Sequence, residues 1–112
     1  MEKKQYALNL AATKDDLIAA GFVERFGVFN LKKPVYGRGA INLIINIDQG
    51  SFMNIAVVDP VGNTYAPFLN PDLQHNNLVC DKVIRQYNKI MDGLAKKKIV
   101  KRIREERKMT EN

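Results

Sequence analysis

At 112 residues, 46% apolar and 27% charged, the chain is long enough for one hydrophobic core and too short for two, and its composition is unlike that of disordered or fibrous proteins. The net charge of +6 is uneven: residues 1–95 hold ten Lys/Arg against nine Asp/Glu, and residues 96–112 hold eight against three. A uniformly basic surface is thereby excluded, and any attraction for polyanions is expected to centre on the C-terminal stretch.

The N-terminal sequence MEKKQYALNLAATKDD lacks the apolar run of a signal peptide, and the single cysteine, Cys80, excludes an internal disulfide, so cytoplasmic residence is expected. Thr13, followed by Lys14, Asp15 and Asp16, offers a capping hydroxyl with carboxylates in the first turn, which predicts a short helix from about Lys14 to Ala20 closed by a left-handed Gly21. Between Phe22 and Tyr36 aromatic and β-branched residues recur, predicting one irregular strand, with Pro34 placing it at an edge and Gly37-Arg38-Gly39 forming a turn.

Ile41, Leu43, Ile45 and Ile47 then alternate with polar residues, the pattern of a strand with one buried face. Ile44 breaks the alternation and is expected beneath the helix or an N-terminal segment. The longest mostly apolar stretch, Ala40 to Ile47, contains Asn42 and Asn46 and is too short to span a bilayer, so no membrane association is expected. Asp48 to Ser51 predicts a hairpin with Gly50 at positive φ, leading to an inward face of Met53, Ile55 and Val57. Asp59-Pro60-Val61-Gly62 predicts a second hairpin into a strand over Thr64 to Phe68.

Asn70-Pro71-Asp72 carries helix-start chemistry, with Asn77 as a rival start. The helix that follows places Cys80, Val83, Ile84, Tyr87, Ile90, Met91 and Leu94 on one stripe, with Asp81, Lys82, Arg85, Lys89 and Asp92 on the other side. Beyond Leu94 the stripe fails, so either the helix breaks near Gly93, or Ile99, Val100 and Ile103 form an apolar patch for a partner. The expected fold is α+β: a small antiparallel β-meander packed against one long C-terminal amphipathic helix, with a short N-terminal helix. Residues 1–95 are expected to form the domain. Residues 96–112 are expected to form a basic arm, partly helical or disordered, whose removal after Ala95 leaves the body folded.

No catalytic pattern emerges. One His (His75) and one Cys (Cys80) cannot supply the usual ligand set of a metal site, so neither metal nor cofactor is expected. Ser51 is the only serine and falls in a turn, paired carboxylates such as Asp15 and Asp16 are accounted for by capping, and Gly37-Arg38-Gly39 is shorter than a phosphate-binding fingerprint. The feature with a mechanism is the basic arm: Lys96, Lys97, Lys98, Lys101, Arg102, Arg104, Arg107 and Lys108 are the expected nucleic-acid contacts. Lys32, Lys33, Tyr36 and Arg38, interleaved with Phe26 and Phe29, are expected as a secondary contact.

The run from Val57 to Phe68, the Asn70-Pro71-Asp72 start and the helical segment Tyr87 to Met91 together resemble small accessory proteins of Gram-positive phages and integrated mobile elements. The resemblance implies a role in phage or element biology, through binding of nucleic acid or the blocking of a host defence or regulatory protein. The expected function is therefore a non-enzymatic module contacting nucleic acid or a nucleic-acid-handling complex through its basic arm. The alternative is an inhibitor or adaptor of a partner protein, acting through a sheet edge or the patch of Ile99, Val100 and Ile103.

Overall fold

The computed structural model describes residues 2–48 and 51–103. Strand β1 (Gln5–Leu8) is followed by helix α1 (Lys14–Ala19), β2 (Val23–Arg25), β3 (Val28–Tyr36), β4 (Ile41–Asp48), β5 (Phe52–Val58), the long helix α2 (Leu78–Lys96) and β6 (Val100–Ile103). The fold is α+β: strands β2-β3-β4-β5 form an antiparallel meander, α2 packs against it, and β1 pairs with β6 in a separate two-stranded sheet. No helix among the described residues is long and apolar enough to cross a membrane.

Helix α1 begins as its sequence dictates. The Thr13 hydroxyl accepts from the Asp16 N–H at 3.1 Å, and the Asp16 carboxylate accepts from the Thr13 N–H at 2.8 Å, a reciprocal capping box. Gly21, at φ +106, ends it in a backbone region that glycine enters without steric penalty.

The single strand expected over Phe22 to Tyr36 is instead a hairpin. Arg25 pairs with Val28, leaving a two-residue turn in which both Phe26 (φ 52) and Gly27 (φ 83) have positive φ. Phe at the first of those positions carries no turn signal, which leaves Gly27 alone as the residue-type mark of the break. Strand β2 pairs only with Val28, Phe29 and Asn30, so the rest of β3 has a neighbour on one side alone. Pro34 sits in this open half, where its missing N–H interrupts no ladder with β2.

Register fixes the faces. Phe29–Ile47–Met53 and Leu31–Ile45–Ile55 form rows across the meander on the face toward α2, and the next row on that face is Lys33–Leu43–Val57. Ile44 lies on the opposite face between Lys32 and Ala56, not beneath a helix, because the two-residue period of the strand turns it away from its buried neighbours.

The β4–β5 hairpin forms, with the Ser51 N–H donating to the Asp48 carbonyl at 3.0 Å, while the expected positive φ of Gly50 lies outside the described residues. The strand expected over Thr64 to Phe68 does not form. A single bridge joins Val58 to Thr64, and the chain then closes into a 3-10 turn, Ala66–Phe68, that includes Pro67 and delivers Phe68 to the core. Asn70 caps only a second 3-10 turn, Pro71–Leu73, and α2 starts later, where Asn77 accepts from the Cys80 N–H at 2.9 Å.

Helix α2 ends without a glycine. Lys98 takes the left-handed position (φ 63), its N–H donates to the Ala95 carbonyl at 3.0 Å, and the Ile99 N–H donates to the Leu94 carbonyl at 3.0 Å. This Schellman pair brings Ile99 back onto Leu94, and both are buried. The chain then runs as β6 beside β1, with Val100 opposite Leu8 and Ile103 opposite Gln5.

Two expectations fail here for the same reason. Ile99 is 0% and Val100 2% exposed, so they belong to the core and not to a partner patch; Ile103 alone of the three is half-exposed. The folded body continues through Ile103 instead of stopping at residue 95, and residues 100–103 are strand, not helix or free arm. The rest of the expected arm, residues 104–112, lies outside the described residues.

Candidate functional site

Helix α2 has three flanks, set by a rotation of about 100° per residue. The first carries Cys80, Val83, Ile84, Tyr87, Met91 and Leu94, all buried. Tyr87 meets Phe68 edge-to-face at 5.0 Å and Tyr6 at 6.1 Å between ring centroids. Burial pushes the Tyr87 phenol up to about 12, and its hydroxyl donates to the Lys4 carbonyl at 3.2 Å.

The second flank is closed by the N-terminal segment. The buried Asn88 amide accepts from the Lys4 N–H at 3.0 Å and donates to the Glu2 carbonyl at 2.9 Å. Asp92 accepts from the Tyr6 hydroxyl and from Lys4 Nζ at 3.0 Å. Those two hydrogen bonds, Tyr6 first, hold the Asp92 carboxyl below its ordinary value. The acid on this flank is thus engaged by residues of the same fold.

The third flank stays open. Lys82, Arg85, Gln86, Lys89, Gly93 and Lys97 follow one another at helical spacing and face the half of β3 that β2 leaves uncovered. Two adjoining cavities that share Gln86 lie between them. The larger, of about 530 Å³, is formed by the segment Pro34 to Arg38 against Lys82 and Arg85. The smaller, of about 260 Å³, has Leu31, Ile90 and Leu94 among its walls and Lys33, Lys89 and Lys97 around them.

Six cations line this groove, and none of the described residues lining either cavity is acidic. The charges are held together because the meander aims Lys33 toward the helix at its open edge, while the Gly37-Arg38-Gly39 turn, with Arg38 itself at φ 56, brings Arg38 to the side of Arg85. Arginine forks suit bidentate contact with phosphate, lysines act as point charges, and a concave cationic wall concentrates the field.

Of the residues singled out in the sequence, Lys33, Tyr36, Arg38 and Lys97 come together in the groove. Lys32 points from the opposite face of the sheet. Lys96, Lys98, Lys101 and Arg102 are exposed elsewhere, the last two on β6 opposite Ala7 and Tyr6. Arg104, Arg107 and Lys108 lie outside the described residues; with Glu105, Glu106 and Glu111 they make that stretch formally neutral, so the excess of +5 in the last seventeen residues is carried by Lys96, Lys97, Lys98, Lys101 and Arg102.

No family model, curated protein or solved structure matches the chain.

Lys82, Arg85, Gln86 and Lys89 were missed as a group. Grouping Asp81 and Asp92 with them as one solvated side concealed the division of that side into two flanks; the i, i+3, i+7 spacing of Lys82, Arg85 and Lys89 was the available signal.

Elsewhere the chemistry is quiet. Cys80 is fully buried with Sγ 3.6 Å from the Pro67 carbonyl, and burial raises its thiol. His75 is exposed in a turn. Among the described residues no three His, Cys, Asp or Glu side chains gather in a way that could hold a metal ion.

Proposed function

We propose that the protein is a non-catalytic nucleic-acid-binding module whose contact surface is the groove between α2 and the open half of β3. The observation that carries this reading is a pair of adjoining open depressions, sharing Gln86 and together lined by Lys33, Arg38, Lys82, Arg85, Lys89 and Lys97, with no carboxylate among their described lining residues. A polyanion entering it gains Coulomb attraction and releases counterions, with no acidic side chain among the described lining residues to oppose it. The basic stretch Lys96 to Arg102 adjoins the groove through Lys97 and serves it as an electrostatic extension. A nucleic-acid role in phage or mobile-element biology accords with the sequence resemblance.

The test is fluorescence anisotropy with mixed-sequence oligonucleotides across a salt series. Affinity should fall linearly on a log–log plot. Reversing Arg38, Arg85 and Lys89 to Glu should weaken binding by about a hundredfold or more at low salt and flatten the slope by about two. The same number of reversals at Lys98, Lys101 and Arg102 should cost much less. Equal losses from the two triple variants would return the contact to the C-terminal stretch.

A second reading, docking of a protein partner, is favoured by Phe26, which is fully exposed at the tip of the β2–β3 turn in a conformation uncommon for a bulky side chain. Its mark would be a complex insensitive to salt and lost on Phe26→Ser.

A further inference from the structure

Gly93 occupies the interior of α2, a position where glycine weakens a helix and must be offset by something else. The fold supplies no such reason. Gly93 is not at positive φ, and a Cβ built on it meets nothing within 4 Å. Gly93 instead lines the smaller cavity between Lys89 and Lys97, on the open side where a longer side chain would extend into it.

The cavity has a divided chemistry. Leu31 and Leu94, 5% and 4% exposed, and the half-buried Ile90 supply an apolar wall, while Lys33, Lys89 and Lys97 stand around it. On its far side, past the shared Gln86, comes a second cationic site at Arg38, Lys82 and Arg85. Anion site, apolar site, anion site is the repeat of a single nucleic-acid strand, in which an unpaired base lies between phosphates. A duplex keeps its base faces stacked inside and cannot place one on Leu31 and Leu94. A volume of about 260 Å³ is near the lower end of ligand pockets, which run from roughly 300 Å³, and suits one ring system.

We infer that the cavity at Gly93 is a base-binding site and that the substrate class is single-stranded nucleic acid. This rests on the groove being the nucleic-acid contact. Strand-binding grooves generally add stacking on aromatic side chains to phosphate attraction; here aliphatic contact with Leu31, Ile90 and Leu94 takes that place.

The experiment compares a short oligothymidylate and oligouridylate with a mixed-sequence duplex and with inorganic polyphosphate, using the intact chain, Gly93→Ala and Gly93→Gln. The single strands should bind at least about tenfold tighter than the duplex or polyphosphate of matched charge. Gly93→Gln, which fills the cavity with a good helix former and removes no charge, should reduce single-strand affinity by about tenfold or more and leave polyphosphate binding unchanged. Gly93→Ala should lie between. A folded Gly93→Gln that binds oligothymidylate as well as the intact chain would overturn the base site while the groove stands. Equal affinity of the intact chain for single strand and polyphosphate would overturn it in the same way, whether or not the variant folds. Absence of binding to every probe at low salt would remove the groove, and the base site with it.

Discussion

At the scale of single residues, Tyr87 joins packing to pH dependence. It is 3% exposed and donates to the Lys4 carbonyl. Its phenol ionises at 10.0 in the absence of the fold and near 12 within it, through burial. The folded value is raised, so the neutral form contributes stability that is fully present below pH 10 and is lost as pH rises toward about 12. Tyr87→Phe should cost about 0.5–1.5 kcal/mol at neutral pH for the lost hydrogen bond. It should also flatten the alkaline fall in stability, though not abolish it, because Tyr6 is shifted the same way by burial and by Asp92. Urea melts at neutral pH and above pH 10 decide the matter; parallel pH curves for the two proteins would refute the assignment. Cys80 and the apolar stripe were legible at this scale, since their spacing alone requires burial. Asn88 was not: a polar side chain earns a buried place only through partners, and its partners are the backbone of residues 2 and 4.

At the scale of elements, the ends of helices and strands were less legible than their interiors. Thr13 and Asn77 are capping residue types and mark their helices correctly. The C-terminus of α2 was hidden because Lys98, not glycine, takes the left-handed position, at a cost of about 1–2 kcal/mol. Burial of Ile99 and the pairing of β6 with β1 offset that strain. Lys98→Gly should therefore stabilise the protein by about 0.5–1 kcal/mol, after allowance for the greater freedom of glycine in the unfolded chain. Thermal denaturation measures it, and a loss of stability would mean that the Lys98 side chain contributes something beyond its backbone geometry. Phe26 hid the β2–β3 turn in the same way, by occupying a positive-φ position that sequence rules reserve for Gly, Asn and Asp.

At the scale of the whole molecule, the two ends of the chain stabilise each other. Strand β1 has β6 as its partner, residues 2–6 close one flank of α2, and Ile99 and Val100 complete the core. Truncation after Ala95 should unfold the protein or leave it molten: burial of Ile99 and Val100 is worth about 1.5–3 kcal/mol each, β1 loses its ladder, and a domain of this size has only about 5–15 kcal/mol in total. Truncation after Ile103 removes none of the described contacts and no net charge, so it should retain both the melt and oligonucleotide binding. Circular dichroism and anisotropy on the two truncated chains test this together. A folded chain ending at Ala95 would mean that β1 and β6 are dispensable.

The sequence by itself determined the α+β class, the meander, the long amphipathic helix and the burial of Cys80, because each is written in local periodicity and turn chemistry. Which side of that helix stays open was decided only by the tertiary structure. Periodicity states that one face of α2 must be covered, but the closing of a second flank by residues 2–6, and the short reach of β2 along β3, depend on contacts between segments far apart in the chain. Lys33, Arg38, Lys82, Arg85, Lys89 and Lys97 become one groove only after those contacts form. Charge is a property of the residue, and its concentration in a concave site is a property of the fold.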